Sequence, residues 1–138
     1  MSGVAVTVGN STVSSSSSTQ KIVTLSTTEA EYVALGDGVK EGLFVKVVFS
    51  FIVLPVSEKS IKLLVGNEGA IKLAANPLSS ARTKHIDVRF HFIRGLVRTG
   101  TIAVEHIPTE EQRADILTKA LVGALVKKHR NFLLNLHE

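Results

Sequence analysis

Thr28-Glu29-Ala30-Glu31-Tyr32 stands at the head of a long helical pattern and sets the reading of what surrounds it. Ser26 with Glu29, and Thr28 with Glu31, both fit the Ser/Thr-x-x-Glu capping box, in which hydroxyl and carboxylate satisfy orphan N–H groups of the first turn. The helix predicted from there runs into a dense apolar stretch, Leu43 to Leu54, interrupted by Lys46 and Ser50. Pro55 ends it, because proline offers no N–H and clashes with the preceding turn. The apolar stretch falls well short of the roughly 20 residues needed to span a bilayer.

Upstream, Val4-Ala5-Val6-Thr7-Val8 followed by Gly9-Asn10 predicts a strand and a hairpin turn. A second strand, Thr12 to about Ser16, pairs back on it, and the serine run leads into a turn near Thr19-Gln20. Ile22 to Leu25 reads as a third short extended piece or a continuation of the second strand. Downstream, Ile61 to Val65 is a continuous apolar-rich run suited to a sheet interior. After the Gly66-Asn67 turn, Ala70, Ile71, Ala74 and Ala75 repeat at helical spacing as far as Asn76-Pro77. Ile86 to Arg98 predicts a third helix with Ile86, Phe90, Ile93 and Val97 on its apolar stripe and Asp87, His91, Arg94 and Arg98 on a polar one. Thr101 to Glu105 reads as the last strand. Pro108-Thr109, with Gln112 completing another capping box, opens a fourth helix. Leu125 to Leu136 forms a terminal helix with a basic start at Lys127-Lys128-His129-Arg130. Strands interleaved with helices in this order predict an α/β domain, a mixed sheet flanked by helices.

The chain has 138 residues, no cysteine and a formal net charge of +4. That length suits one domain with its own core. Without cysteine there are no disulfides and no thiolate metal sites. Residues 1–70 carry five Lys/Arg against six Asp/Glu, whereas residues 71–138 carry eleven against six. Such basic asymmetry permits polyanion binding without proving it, and a solvated basic face with no ligand is the plainer explanation of the charge. No signal-peptide pattern opens the sequence, so an intracellular protein, cytoplasmic or nuclear, with no membrane partner is the expectation.

Three phrases occur in fixed order: Thr28-Glu29-Ala30-Glu31-Tyr32, then Thr83-Lys84-His85-Ile86-Asp87-Val88-Arg89-Phe90-His91-Phe92-Ile93-Arg94, then Arg113-Ala114-Asp115-Ile116-Leu117-Thr118-Lys119. In this order and spacing the chain resembles the ribonuclease H domain that ends a copia-type retrotransposon Pol polyprotein. The resemblance runs from about Ser2 to the Ala120 region. It implies a ribonuclease H-like mixed sheet whose central first strand is missing. The domain organisation expected is a single truncated unit over 1–138, with hairpin strands at 1–25, core helices and strands at 26–121, and a basic helix at 122–138.

The family hydrolyses RNA in RNA–DNA hybrids with two Mg²⁺ ions held by carboxylates, since these hard cations take oxygen ligands. Carried over onto this sequence, the family's helix Glu matches Glu31 and its late Asp matches Asp115. The Asp that should precede Asn67 is replaced by Gly66, which has no ligand atom. The first-strand Asp has no counterpart. Glu31 and Asp115 are thus expected as vestigial catalytic and metal positions, with Mg²⁺ belonging to the ancestral enzyme and none bound tightly here. Each also has a structural explanation: Glu31 as a capping-box carboxylate, Asp115 as an i,i+4 partner of Lys119. His85, His91 and His106 share no spacing that suggests a transition-metal site.

Arg82, Lys84, His85, Arg89 and Arg94 cluster about a helix start. They are candidates for contact with the phosphates of an RNA–DNA hybrid; alternatively, the arginines snorkel along a mostly buried surface. Three functions follow as expectations. The first is an inactive remnant of a retrotransposon ribonuclease H. The second is a non-catalytic nucleic-acid binder. The third is a protein-interaction fragment that self-associates or joins a related polyprotein.

Overall fold

The computed structural model describes residues 1–24, 26–52, 59–75 and 84–136, with backbone alone at 84–87. The chain is mixed α/β. Strand β1 (Ser2–Val8) turns at Gly9-Asn10 into β2 (Ser11–Ser18), with Gly9 at φ 60° supplying the left-handed turn conformation. The antiparallel register runs from Ser2 opposite Ser18 to Val8 opposite Ser11, with a bulge between Val6 and Thr7. Helix α1 (Thr27–Ile52) follows, then β3 (Ile61–Val65), α2 (Glu68–Ala75), α3 (Lys84–Arg98) and β4 (Ile102–His106). Strands β3 and β4 are parallel, Ile61 facing Ile102 and Val65 facing His106. Two 3-10 turns, Thr109–Glu111 and Arg113–Leu117, precede α4 (Gly123–Leu133).

The expected mixed sheet is instead two separate two-stranded sheets, β1–β2 and β3–β4. Strand β3 therefore pairs on one edge only, and Ile61 and Leu63 are half-buried where a sheet interior was expected. Three further expectations need correction. Residues Ile22 to Thr24 form no strand; Leu25 lies outside the described residues. The fourth helix opened by Pro108-Thr109 is the pair of 3-10 turns, with Gln112 extended between them and no side-chain cap. The terminal helix stops at Leu133 rather than Leu136. Asn135 adopts φ 54°, while the Leu136 N–H donates to the Asn131 carbonyl and the Asn135 N–H to that of Phe132. These bonds form a Schellman stop with asparagine in the left-handed position. The break at Pro55 lies outside the described residues.

The core lies between α1, α2, α3 and the β3–β4 sheet, around Tyr32, Leu35, Val39, Val65, Leu73, Phe90, Ile93 and Ile102. Phe90 and Ile93 are buried as the third helix's apolar stripe requires, and the Phe90 ring stacks on Tyr32 at a centroid distance of 4.1 Å. The hairpin also packs on α1 and is tied down at both ends. Gln20 donates from Nε2 to Ser2 Oγ (3.0 Å) and to the Ala30 carbonyl (2.8 Å). The Asn135 amide exchanges two bonds with the Thr12 backbone, at 2.7 and 3.0 Å. Among the described residues, no helix is long and apolar enough to cross a membrane.

Candidate active site

Glu31, Gly66 and Asp115 meet. Although 35 and 49 residues separate them successively in the sequence, they line one cavity of about 200 Å³ with Asn67, Thr109, Gln112 and Lys119. Three local arrangements bring them there. At the head of α1 the cap is Ser26, whose Oγ accepts the Glu29 N–H at 3.2 Å. The helix thus starts on the Ser26–Glu29 box. Glu31 is free of the capping duty that Thr28-x-x-Glu31 suggested and lines the cavity one turn into the helix.

Gly66 closes β3. The Asn67 side chain then caps α2, its Oδ1 accepting the Ala70 N–H at 3.0 Å. Gly69 lets α2 approach the head of α1: a Cβ there would lie 2.9 Å from Asn67 Oδ1 and 3.0 Å from Thr28 Cγ2. A Cβ at Gly66 would meet nothing within 4 Å. The cavity has room for a side chain at 66, and the sequence supplies none. Glu68 is exposed on the first turn of α2 and does not line the cavity.

Asp115 arrives on the second 3-10 turn, which packs on β1 at Gly3. A Cβ on Gly3 would lie 2.9 Å from both the Ala114 carbonyl oxygen and Thr118 Cγ2, so glycine is what permits this approach. Asp115 is buried, and Lys119 Nζ donates to its Oδ2 at 2.9 Å. The i,i+4 pair anticipated from sequence is therefore formed, and it places an ammonium group inside the cavity. Behind the turn, Arg113 stacks on Phe132 of α4, with its guanidinium carbon 3.3 Å from the ring centroid. His129 is fully buried beside it, with neither ring nitrogen hydrogen-bonded to a described residue. Burial, reinforced by the charge of Lys128, holds its pKa below the usual imidazole value against the pull of Asp115 and Glu111.

Gln112, read from the sequence as the end of a capping box with Thr109, makes no such cap. Its Nε2 donates to the Leu64 carbonyl of β3 at 3.1 Å, across 48 residues. Among the described residues, no three His, Asp or Glu side chains gather as a cation cage.

Arg89 and Arg94 of α3 turn inward. Arg94 lies over Phe90 with its guanidinium carbon 5.4 Å from the ring centroid, and its Nε donates to the Leu73 carbonyl at 3.4 Å. Arg89 lies 3.9 Å from Asp37 of α1. Both are half-buried, the geometry of arginine stems laid along an apolar surface. His91 and Arg98 are exposed. Arg82 and the side chains of Lys84 and His85 lie outside the described residues.

Over 119 residues the chain is 40% identical to the retrovirus-related Pol polyprotein from transposon TNT 1-94 of Nicotiana tabacum. It is 37% and 36% identical to those from transposons RE2 and RE1 of Arabidopsis thaliana. The match covers 86% of this chain and 8–9% of each relative, so the chain spans less than a tenth of the length of these curated relatives. No family model matches. No solved structure matches either. The chain is thus homologous to a segment of retrotransposon Pol polyproteins.

Proposed function

We propose that this chain is a ribonuclease H-like segment of retrotransposon origin that does not cleave RNA–DNA hybrids. The observation that carries this reading is the cavity shared by Glu31, Gly66 and Asp115. Positions that the resemblance assigns to one metal centre line a single cavity although they are far apart in the chain, and this supports the reading. The ancestral Mg²⁺ pair does not fit the donors present there. Glu31 is unaltered, Asp115 is engaged by the Lys119 ammonium, and Gly66 has no oxygen to offer. A pair of divalent cations needs several carboxylate oxygens from separate elements, and a cation held at 2.9 Å from one of two carboxylates opposes their gathering.

Incubation of the purified chain with a labelled RNA–DNA hybrid in Mg²⁺ or Mn²⁺ tests this. No cleavage is expected. Loss of metal ligands removes transition-state stabilisation, and each ~1.4 kcal/mol is tenfold in rate. Metal-dependent cleavage that disappears in Glu31→Ala or Asp115→Asn overturns the proposal. Gly66→Asp alone is expected to leave the chain inactive although the side chain has space, because Lys119 still engages Asp115.

Contact of α3 with nucleic-acid phosphates is the weaker reading. The inward contacts of Arg89 and Arg94 favour a packing role. If α3 does bind hybrid, affinity falls steeply with added salt and weakens in the Arg89→Ala, Arg94→Ala double variant.

A further inference from the structure

The last turns of α1 are apolar on nearly every side. From Leu43 to Ile52 the only polar side chains are Lys46 and Ser50, and both are satisfied within the chain. Lys46 Nζ donates to the Lys59 carbonyl at 2.9 Å, and Ser50 Oγ to the Val47 carbonyl at 2.6 Å. Val45 and Phe49 line a pocket with residues of β1 and β3. Phe44, Val47, Val48, Phe51 and Ile52 do not; they are exposed, Phe44 at 66%. At 100° per residue these five fall within an arc of about 140°, with Lys46 almost opposite its centre.

A helix apolar all round belongs in an interior, and the area of this face says how much interior it asks for. Taking about 200 Å² for a free phenylalanine and somewhat less for each aliphatic chain, the five expose roughly 600 Å². Two such faces together would bury about 1,200 Å², the size at which specific protein interfaces begin. The order of residues along the stripe also fits it to itself. Laid antiparallel across a two-fold axis between Val47 and Val48, Phe44 of each copy meets Phe51 of the other, and Val47 of each meets Val48 of the other. The small valines stand at the crossing, where helix axes come closest. No like charges are forced together. Lys46 is turned away to Lys59, while Lys40 and Glu41, one turn before the stripe, are of opposite sign.

We propose that the second half of α1 is a homodimer interface, in which two copies of this chain pair these helices antiparallel. Closing it strands no polar side chain, since Lys46 and Ser50 already have their acceptors. The catalytic state of the candidate site has no part in it.

Sedimentation equilibrium of the unaltered chain over a concentration series tests this. A reversible equilibrium between one and two copies is expected. Val47→Glu and Val48→Lys, both at exposed positions, should each weaken dimerisation by roughly tenfold or more and leave the circular dichroism of the monomer unchanged. Mixed together they should form a heterodimer, because the new carboxylate faces the new ammonium in the antiparallel register. The chain has no cysteine, so Val47→Cys mixed with Val48→Cys maps that register directly. A disulfide between the two variants is expected on mild oxidation, and none between copies of Val23→Cys, exposed outside the helix. If the charged variants do not fold, the cross-link still decides. A monomer at every concentration, growth without limit past two copies, or an unchanged dimer in Val47→Glu would each overturn the proposal. So would dissociation of the dimer by phosphatidylcholine vesicles that the chain then coats, which would make this a lipid-binding face.

Discussion

The two halves of α1 are one continuous helix in opposite surroundings. From Thr27 to Gly42 it is capped by Ser26 and packed against the hairpin, α2 and α3. Beyond Gly42 no residue of the helix is buried, and Phe44, Val47, Phe51 and Ile52 are exposed, Phe51 at 86%. The second half is the more apolar by sequence and the less covered. Hydrophobicity therefore did not decide which part of this helix entered the core; the available partners did. A contiguous exposed patch of this kind marks a contact surface or an aggregation liability.

The sharpest way to break that contrast is truncation in the covered half. Tyr32→Ala removes the stack on Phe90 and should cost about 3–5 kcal/mol, read as a large drop in the denaturant midpoint. A cost under about 1 kcal/mol would mean that the head of the helix is no better packed than its tail. Gly3→Val acts where β1 meets the Asp115 turn. Its Cβ would lie 2.9 Å from a backbone oxygen, and overpacking of about 1–3 kcal/mol is expected, with chemical-shift changes at Asp115 and Lys119. Ser26→Ala removes the N-cap and should cost about 1 kcal/mol. No change there would place the helix start elsewhere.

His129 gives the comparison a pH signature. Its pKa is lowered in the folded chain, so the unfolded chain binds the proton more readily. The contribution is full above the ordinary value near 6.5 and is lost as pH falls through the lowered folded value. Melting temperature should drop across that interval, and His129→Leu should flatten the drop. The smallest effect belongs to the tail. Phe51→Ser should change stability by no more than about 0.5 kcal/mol while reducing self-association in sedimentation. A large loss of stability would show that the tail is covered after all.

Much of the fold was legible because its signals are local. Gly9-Asn10 between alternating strands, the Ser26–Glu29 cap and the 3.6-residue stripe of Phe90 and Ile93 each specify their element within a few residues. The failures are non-local. Gln112 looked like a cap for Thr109 because both residue types suit one, but the Leu64 carbonyl, 48 residues away, took its amide. For Arg89 and Arg94 the sequence left phosphate contact and arginine stems along a buried surface both open, because it could not show Asp37 and Leu73 beside them. At the candidate site, Glu31 and Asp115 were identified through the phrases around them. Lys119 was visible as an ion-pair partner, but its position inside the shared cavity was not.

The Thr12–Asn135 clamp bears on how the chain reaches this structure. The hairpin leaves a ribosome before the helices that follow it, and the residue that fastens its turn end emerges 123 positions later. At a synthesis rate of about 5–20 residues per second, that interval is on the order of ten seconds. During it, β1 and β2 have each other but not α4, and an isolated two-stranded hairpin is marginal in water. Final docking must therefore come late in the folding of this segment and close a long loop.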